Sequence, residues 1–225
     1  FNPIYFSLRK ENTEPVKIQK YFRIIWLVSS ILLILSIFIL PPLIPLITPP
    51  RFHNSADLVS ILATSFIWQI IYFLTVIDFY YLKKTKYIPL ITLGGLIANI
   101  IITLSFVHLI GAEALAWAQV GGCVVWAFMS KYLASKHGDI VPTNVMLIHT
   151  FLLSVVTLFL ERVVIPNDML VTRILVALGF CVLLIYQFAF RDKEILEIIK
   201  NFRKKPLEEE ITEETEEATD YDHSN

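Results

Sequence analysis

Six runs of roughly twenty predominantly apolar residues divide this chain: Tyr21 to Thr48, Leu58 to Leu82, Tyr87 to Leu109, Ala112 to Tyr132, Thr143 to Leu160 and Leu170 to Phe190, here called segments A to F. A hydrocarbon core of about 30 Å is crossed by about 20 residues of helix rising 1.5 Å each. Backbone left unpaired in lipid costs several kcal/mol, so an uninterrupted apolar run of this length must be helical. Membrane strands would need about ten residues of alternating polarity, and none of the six runs alternates. The expected fold class is therefore all-α, a polytopic transmembrane helical bundle of six spans. Composition agrees: only 17% of the 225 residues are charged, against about 25% in a soluble domain.

The basic residues supply an orientation. Segment A is preceded by Arg9, Lys10, Lys17, Lys20 and Arg23, whereas the A–B connection holds Arg51 alone. Lys83, Lys84 and Lys86 lie between B and C, and no Lys or Arg lies between C and D. Lys131 and Lys136 fall between D and E, Arg162 and Arg173 flank the E–F connection, and six more follow F from Arg191 to Lys205. Alternate connections thus carry sixteen and three basic residues. Cytoplasmic loops are the Lys/Arg-rich ones, so both termini are expected in the cytoplasm. The expected location is the cell inner (plasma) membrane.

Composition shifts mark four regions: residues 1–23 as a cytoplasmic linker, 24–190 as the transmembrane domain, 191–206 as a basic juxtamembrane helix and 207–225 as a tail. Ile195, Leu196, Ile198, Ile199 and Phe202 form the apolar side of the third region, which Pro206 ends. The tail has nine acidic residues and no Lys or Arg, which predicts disorder. Within segment A, Pro41, Pro42 and Pro45 should stop or kink a regular helix near Leu40, leaving an irregular or re-entrant end. The chain opens at Phe1, and its first 23 residues hold seven charges and no signal-like apolar run, which reads as a piece of a longer protein.

Soluble-enzyme chemistry finds little support in the sequence. None of the seven glycines precedes a Lys, so no phosphate-cradling loop of the GxxxxGK type exists. The histidines show no metal-ligand spacing, Cys123 and Cys181 sit in apolar runs as small buried residues, and no cofactor or metal is expected. A net charge of -1 gives no basic field for nucleic acid. His108 and His149 lie in or near spans, where a membrane enzyme keeps a base, but no acid or nucleophile converges on them in sequence. Polar residues within the spans are more telling, because in hydrocarbon they face the bundle interior or a water-filled path. Gln69, Asp78, Asn99 and Gln119 are the candidates for a transport path. The competing reading makes the amides interhelical hydrogen-bond glue worth about 0.6 kcal/mol each. Ala114, Ala118 and Gly122 in D, with Gly94 and Ala98 in C, have the small-residue spacing that brings helices close.

The order of these features resembles a known family. Segment A closes on Pro42-Leu43-Ile44-Pro45-Leu46-Ile47, and Arg51-Phe52-His53-Asn54-Ser55-Ala56 leads into B. C carries Ile97-Ala98-Asn99-Ile100-Ile101-Ile102-Thr103-Leu104, followed by Leu109-Ile110-Gly111-Ala112-Glu113-Ala114-Leu115-Ala116. Over residues 1 to 136 this is similar to the C-terminal portion of the polysaccharide flippases, the lipid-linked oligosaccharide exporters of the multidrug/oligosaccharidyl-lipid/polysaccharide superfamily. Thr103 stands where a second Asn is common in that family, and Glu113-Ala114 where Gly-Ala is common. The resemblance implies a two-lobed transporter in which A is the ninth of fourteen helices and eight further helices precede Phe1. Its implied partners are membrane lipids, those upstream helices and a polyprenyl-diphosphate-linked oligosaccharide, moved between leaflets for polysaccharide biosynthesis. A small-drug antiporter of the same superfamily, a membrane enzyme and a non-transporting scaffold are the alternatives.

Overall fold

A computed structural model describes residues 5–6, 9–10, 15–138, 142–164 and 170–191. The basic juxtamembrane region and the acidic tail expected from the sequence lie outside the described residues, Arg191 apart. Two compact units divide at Val182 and Leu183. In the second, Leu183 to Arg191 is helical.

Six α-helices follow in order: α1 (Pro15–Ile47), α2 (Ala56–Tyr81), α3 (Tyr87–Ile110), α4 (Glu113–His137), α5 (Asn144–Phe159) and α6 (Leu170–Arg191). A 3₁₀ turn, Pro50–Ser55, joins α1 to α2, and a single π-helical turn, Leu160–Val164, extends α5. No strand occurs among the described residues. Four of the helices are long and apolar enough to cross a membrane: α1 from Lys17, α2 from Leu58, α3 throughout, and α5 with its π turn through Val163. This is a membrane protein built of apolar helices.

The first prolines do not act as expected. α1 continues through Pro41, Pro42 and Pro45 to Ile47, with no break near Leu40 and no re-entrant piece. Proline already has a helical φ; what it removes is the bond to the carbonyl four residues back. At 1.5 Å per residue, 33 helical residues span about 50 Å, well beyond the roughly 30 Å hydrocarbon core. The carbonyls of Ile37, Phe38 and Pro41 lose those bonds, and all three residues are buried in the protein. The helix closes where Thr48 donates both its backbone N–H (2.9 Å) and its hydroxyl (2.7 Å) to the Ile44 carbonyl.

α4 is the middle of the packing: it lies along α3 on one side and α2 on the other, while α1 packs on α2 and α5 touches both α1 and α2. Small residues explain that position. Ala114, Ala118, Gly122, Ala127 and Ala134 of α4 are all buried. At Gly122 a Cβ would stand 3.0 Å from the Gly95 carbonyl oxygen, so the α3 and α4 backbones touch directly. A helix held this way is covered along two faces, with Leu115, Phe128 and Tyr132 left exposed, and can carry Gln119 and Trp126 without the apolarity of α1 or α3. Gly111 (φ 59°), a conformation L side chains rarely adopt, turns the chain between α3 and α4. The buried hydroxyls of Ser30, Thr64, Thr75, Thr150, Ser154 and Thr157 each donate to the carbonyl four residues earlier, whereas the Thr103 hydroxyl of α3 is buried without a partner among the described residues.

Candidate functional site

The four polar residues singled out in the spans do not share one site. Asn99 of α3 and Gln119 of α4 meet: Asn99 Nδ2 donates to Gln119 Oε1 at 3.3 Å, and Gln119 Nε2 reaches Cys123 Sγ at 3.6 Å. About two turns along the same seam, Trp126 Nε1 donates to the Thr92 carbonyl at 3.1 Å. These contacts satisfy polar atoms across a helix pair that approaches closely at Gly95 and Gly122. Gln69 is half-buried on α2 and has no hydrogen-bond partner among the described residues.

Asp78 is wholly buried near the end of α2. Tyr5 donates its hydroxyl to Asp78 Oδ1 at 2.6 Å, and Arg9 Nη2 reaches the same oxygen at 3.2 Å. The surrounding aromatic packing fixes this arrangement. Tyr5 stacks on Phe22 with ring centroids 6.1 Å apart, and the Arg9 guanidinium lies 4.9 Å from the Tyr81 ring centroid. The end of α4 closes the far side, since a Cβ on Gly138 would stand 2.9 Å from Asp78 Oδ2. Asp78 therefore joins residues from before α1 to the ends of α2 and α4. A buried carboxylate held by a cation and a hydroxyl is a tie whose removal leaves uncompensated charge.

A second ionic group occupies the opposite end of the helices. Glu161, on the π turn, and Arg173, on α6, are both buried and lie 3.5 Å apart. Next to Glu161, the half-exposed Arg162 lies 3.5 Å from Glu113 at the start of α4. Consecutive residues point about 100° apart around a helical turn, so Glu161 meets Arg173 of α6 while Arg162 meets Glu113 of α4. Along α5, Thr150, Ser154, Thr157 and Glu161 fall at helical spacing, and all four are buried. Trp26 Nε1 of α1 donates to Thr150 Oγ1 at 2.7 Å.

Neither histidine considered above approaches a catalytic grouping. His149 lies 6.2 Å from Trp26 by ring centroids, and His108 is exposed near the end of α3. Among the described residues no group of three or more His, Cys, Asp or Glu side chains converges as a metal site would. Both cysteines are buried and free.

The ion pairs were hidden from sequence reasoning because their members are not spaced by any helical repeat. Tyr5 and Arg9 precede Asp78 by 73 and 69 residues. The only sequence sign of the other pair was an acid and a base on either side of the E–F connection. Searches of protein-family models, curated proteins and solved structures match this chain to none of them.

Proposed function

We propose that this chain is the C-terminal portion of a plasma-membrane transporter that flips a polyprenyl-diphosphate-linked oligosaccharide from the inner to the outer leaflet. In this reading α4 and α6 are spans beside the four longest apolar helices, giving six. The sixteen-to-three distribution of basic residues puts both termini in the cytoplasm. The Asp78–Arg9–Tyr5 tie then closes the inner end, and the Glu161–Arg173 and Arg162–Glu113 pairs the outer end.

The observation that carries the reading is the one-sidedness of α3. It rests on α4 along one face, where Asn99 sits, and only 11% of its apolar window is buried. Leu93, Ile97, Ile100, Ile101 and Leu104 stand exposed on the remainder. A self-contained scaffold would enclose its membrane-length helices more evenly. A lobe that closes against a second lobe, as in the flippases this chain resembles, leaves such a wall open, and alternating access rocks one lobe against the other.

The test is the fate of the lipid-linked glycan in cells lacking the gene. Polyprenyl-diphosphate-linked oligosaccharide should accumulate on the inner leaflet while surface polysaccharide disappears, and both should revert when the gene is restored. Unchanged surface polysaccharide would sink the proposal, and altered drug tolerance in its place would favour the small-drug antiporter.

A further inference from the structure

Between α1 and α2 runs an open groove of about 520 Å³, lined by Ile25 of α1 and by Ile70, Phe73, Leu74, Ile77 and Tyr80 of α2. Ile70 and Tyr80 are ten residues apart, so the α2 wall is about 15 Å long at 1.5 Å per residue. That is half of a hydrocarbon core of about 30 Å, the depth of one leaflet. The groove is apolar over this depth, and at one end both of its walls pass into basic segments. Exposed Lys17 precedes Ile25 on α1, and exposed Lys83 and Lys86 follow Tyr80; Lys20 and Arg23 have partners of their own, and Lys84 donates to the His137 carbonyl at 2.8 Å. Asp78, the acid nearest that end of α2, is wholly buried and engaged by Tyr5 and Arg9, so it does not offset these cations at the surface.

We infer that the groove is a binding site for an anionic phospholipid of the inner leaflet, one acyl chain lying against α2 and the phosphate held among the basic residues at the groove's mouth. Length selects the occupant: an acyl chain ends with the leaflet, as the groove does, whereas a long polyprenyl chain overruns it. Charge selects the head group, since juxtamembrane Lys and Arg attract anionic lipid at the cytoplasmic surface. The half-exposed Tyr80 marks the level where chain gives way to head group, the depth at which membrane tyrosines concentrate. The inference rests on the inward orientation proposed for the Lys83–Lys86 turn, and it is independent of the cargo.

The experiment reads retained lipid by native mass spectrometry on the full chain, released from nanodiscs of equal phosphatidylcholine and phosphatidylglycerol. Phosphatidylglycerol should be retained about tenfold over phosphatidylcholine, the preference expected when one or two lysines engage the head group. Lys17→Gln with Lys83→Gln should bring the two lipids toward parity. Ile25→Trp, which fills the groove, should reduce retention of both while leaving helical circular dichroism unchanged. Equal retention by the unaltered protein would overturn the inference, as would full retention by a folded Ile25→Trp protein. Displacement of phosphatidylglycerol by equimolar polyprenyl phosphate would also overturn it and assign the groove to the substrate. Since the readout involves no transport, failure here and failure of the flippase reading are separable.

Discussion

Replacing Gly95 by Ala tests whether the contact of α3 with α4 is the structural centre of the bundle. A Cβ at Gly95 would stand 1.8 Å from Trp126 Nε1 and 2.0 Å from Trp126 Cδ1, so the indole must leave its place. Leaving breaks its 3.1 Å hydrogen bond to the Thr92 carbonyl. Forced repacking typically costs about 1–3 kcal/mol, and the lost hydrogen bond about 0.5–1.5 kcal/mol. Against these stands a gain of about 1 kcal/mol from replacing a helical glycine by alanine. The net expectation is a loss of about 2 kcal/mol. Reversible unfolding by SDS from mixed micelles, followed by circular dichroism, measures it. The same substitution placed in a Trp126→Leu background isolates the cause, because the clash is then gone and only the propensity gain remains. If Gly95→Ala destabilises equally with and without Trp126, the reasoning from this contact is wrong. Gly179 of α6, whose added Cβ meets nothing within 4 Å, is the control and should be stabilised or unchanged by Ala.

Asp78→Ala should cost about 3 kcal/mol by leaving Arg9 without its buried counter-charge, and Asp78→Asn should cost less because it still accepts from Tyr5; the same unfolding assay separates them. Arg173→Ala should destabilise by a similar amount, whereas replacing Arg173 and Glu161 together by Met and Leu should be near neutral; equal losses would show that the pair does not act as one unit. Single cysteines at Lys84 and Lys136 should react with an impermeant maleimide only from the cytoplasmic side, and one at Asn54 only from outside; labelling of Asn54 from the cytoplasm would overturn the orientation. Asn99→Ala should lower stability by about 0.6 kcal/mol if it is only glue, with glycan export falling no further than protein abundance; a larger loss of export would place it on the path.

Length and apolarity made the helices legible. Five of the six starts and most of the ends fall within two residues of the expected segments, because a membrane-length apolar run admits only one regular form. The exceptions have physical causes. α1 begins six residues before Tyr21, since Lys17 and Lys20 continue the helix past the apolar run. α4 runs on to His137, beyond Tyr132, because Ala134 is buried against Val76, Phe79 and Ile91 with Leu133 alongside. The prolines of α1 were misread because proline already has a helical φ, so the loss of three backbone bonds does not by itself end a helix of 33 residues. The candidate residues were legible as polar groups at depth, but their partners were not. Asn99 and Gln119 find each other only because Gly95 and Gly122 bring two backbones together, and Asp78 is claimed by residues from before α1. Both ionic ties depend on chain reversals, which no residue spacing encodes.

The most direct test of the transporter reading is cysteine accessibility under turnover. With Cys123 and Cys181 replaced by Ser, single cysteines at Gln69, Leu93, Asn99 and Ile100 would be probed by impermeant maleimide in membranes with and without lipid-linked oligosaccharide. Alternating access predicts that several of these positions on α2 and α3 change labelling rate when the oligosaccharide is supplied, while one at Lys84 does not. Identical rates at every position, in membranes where the lipid-linked oligosaccharide is demonstrably present, would contradict the account and leave a static membrane scaffold.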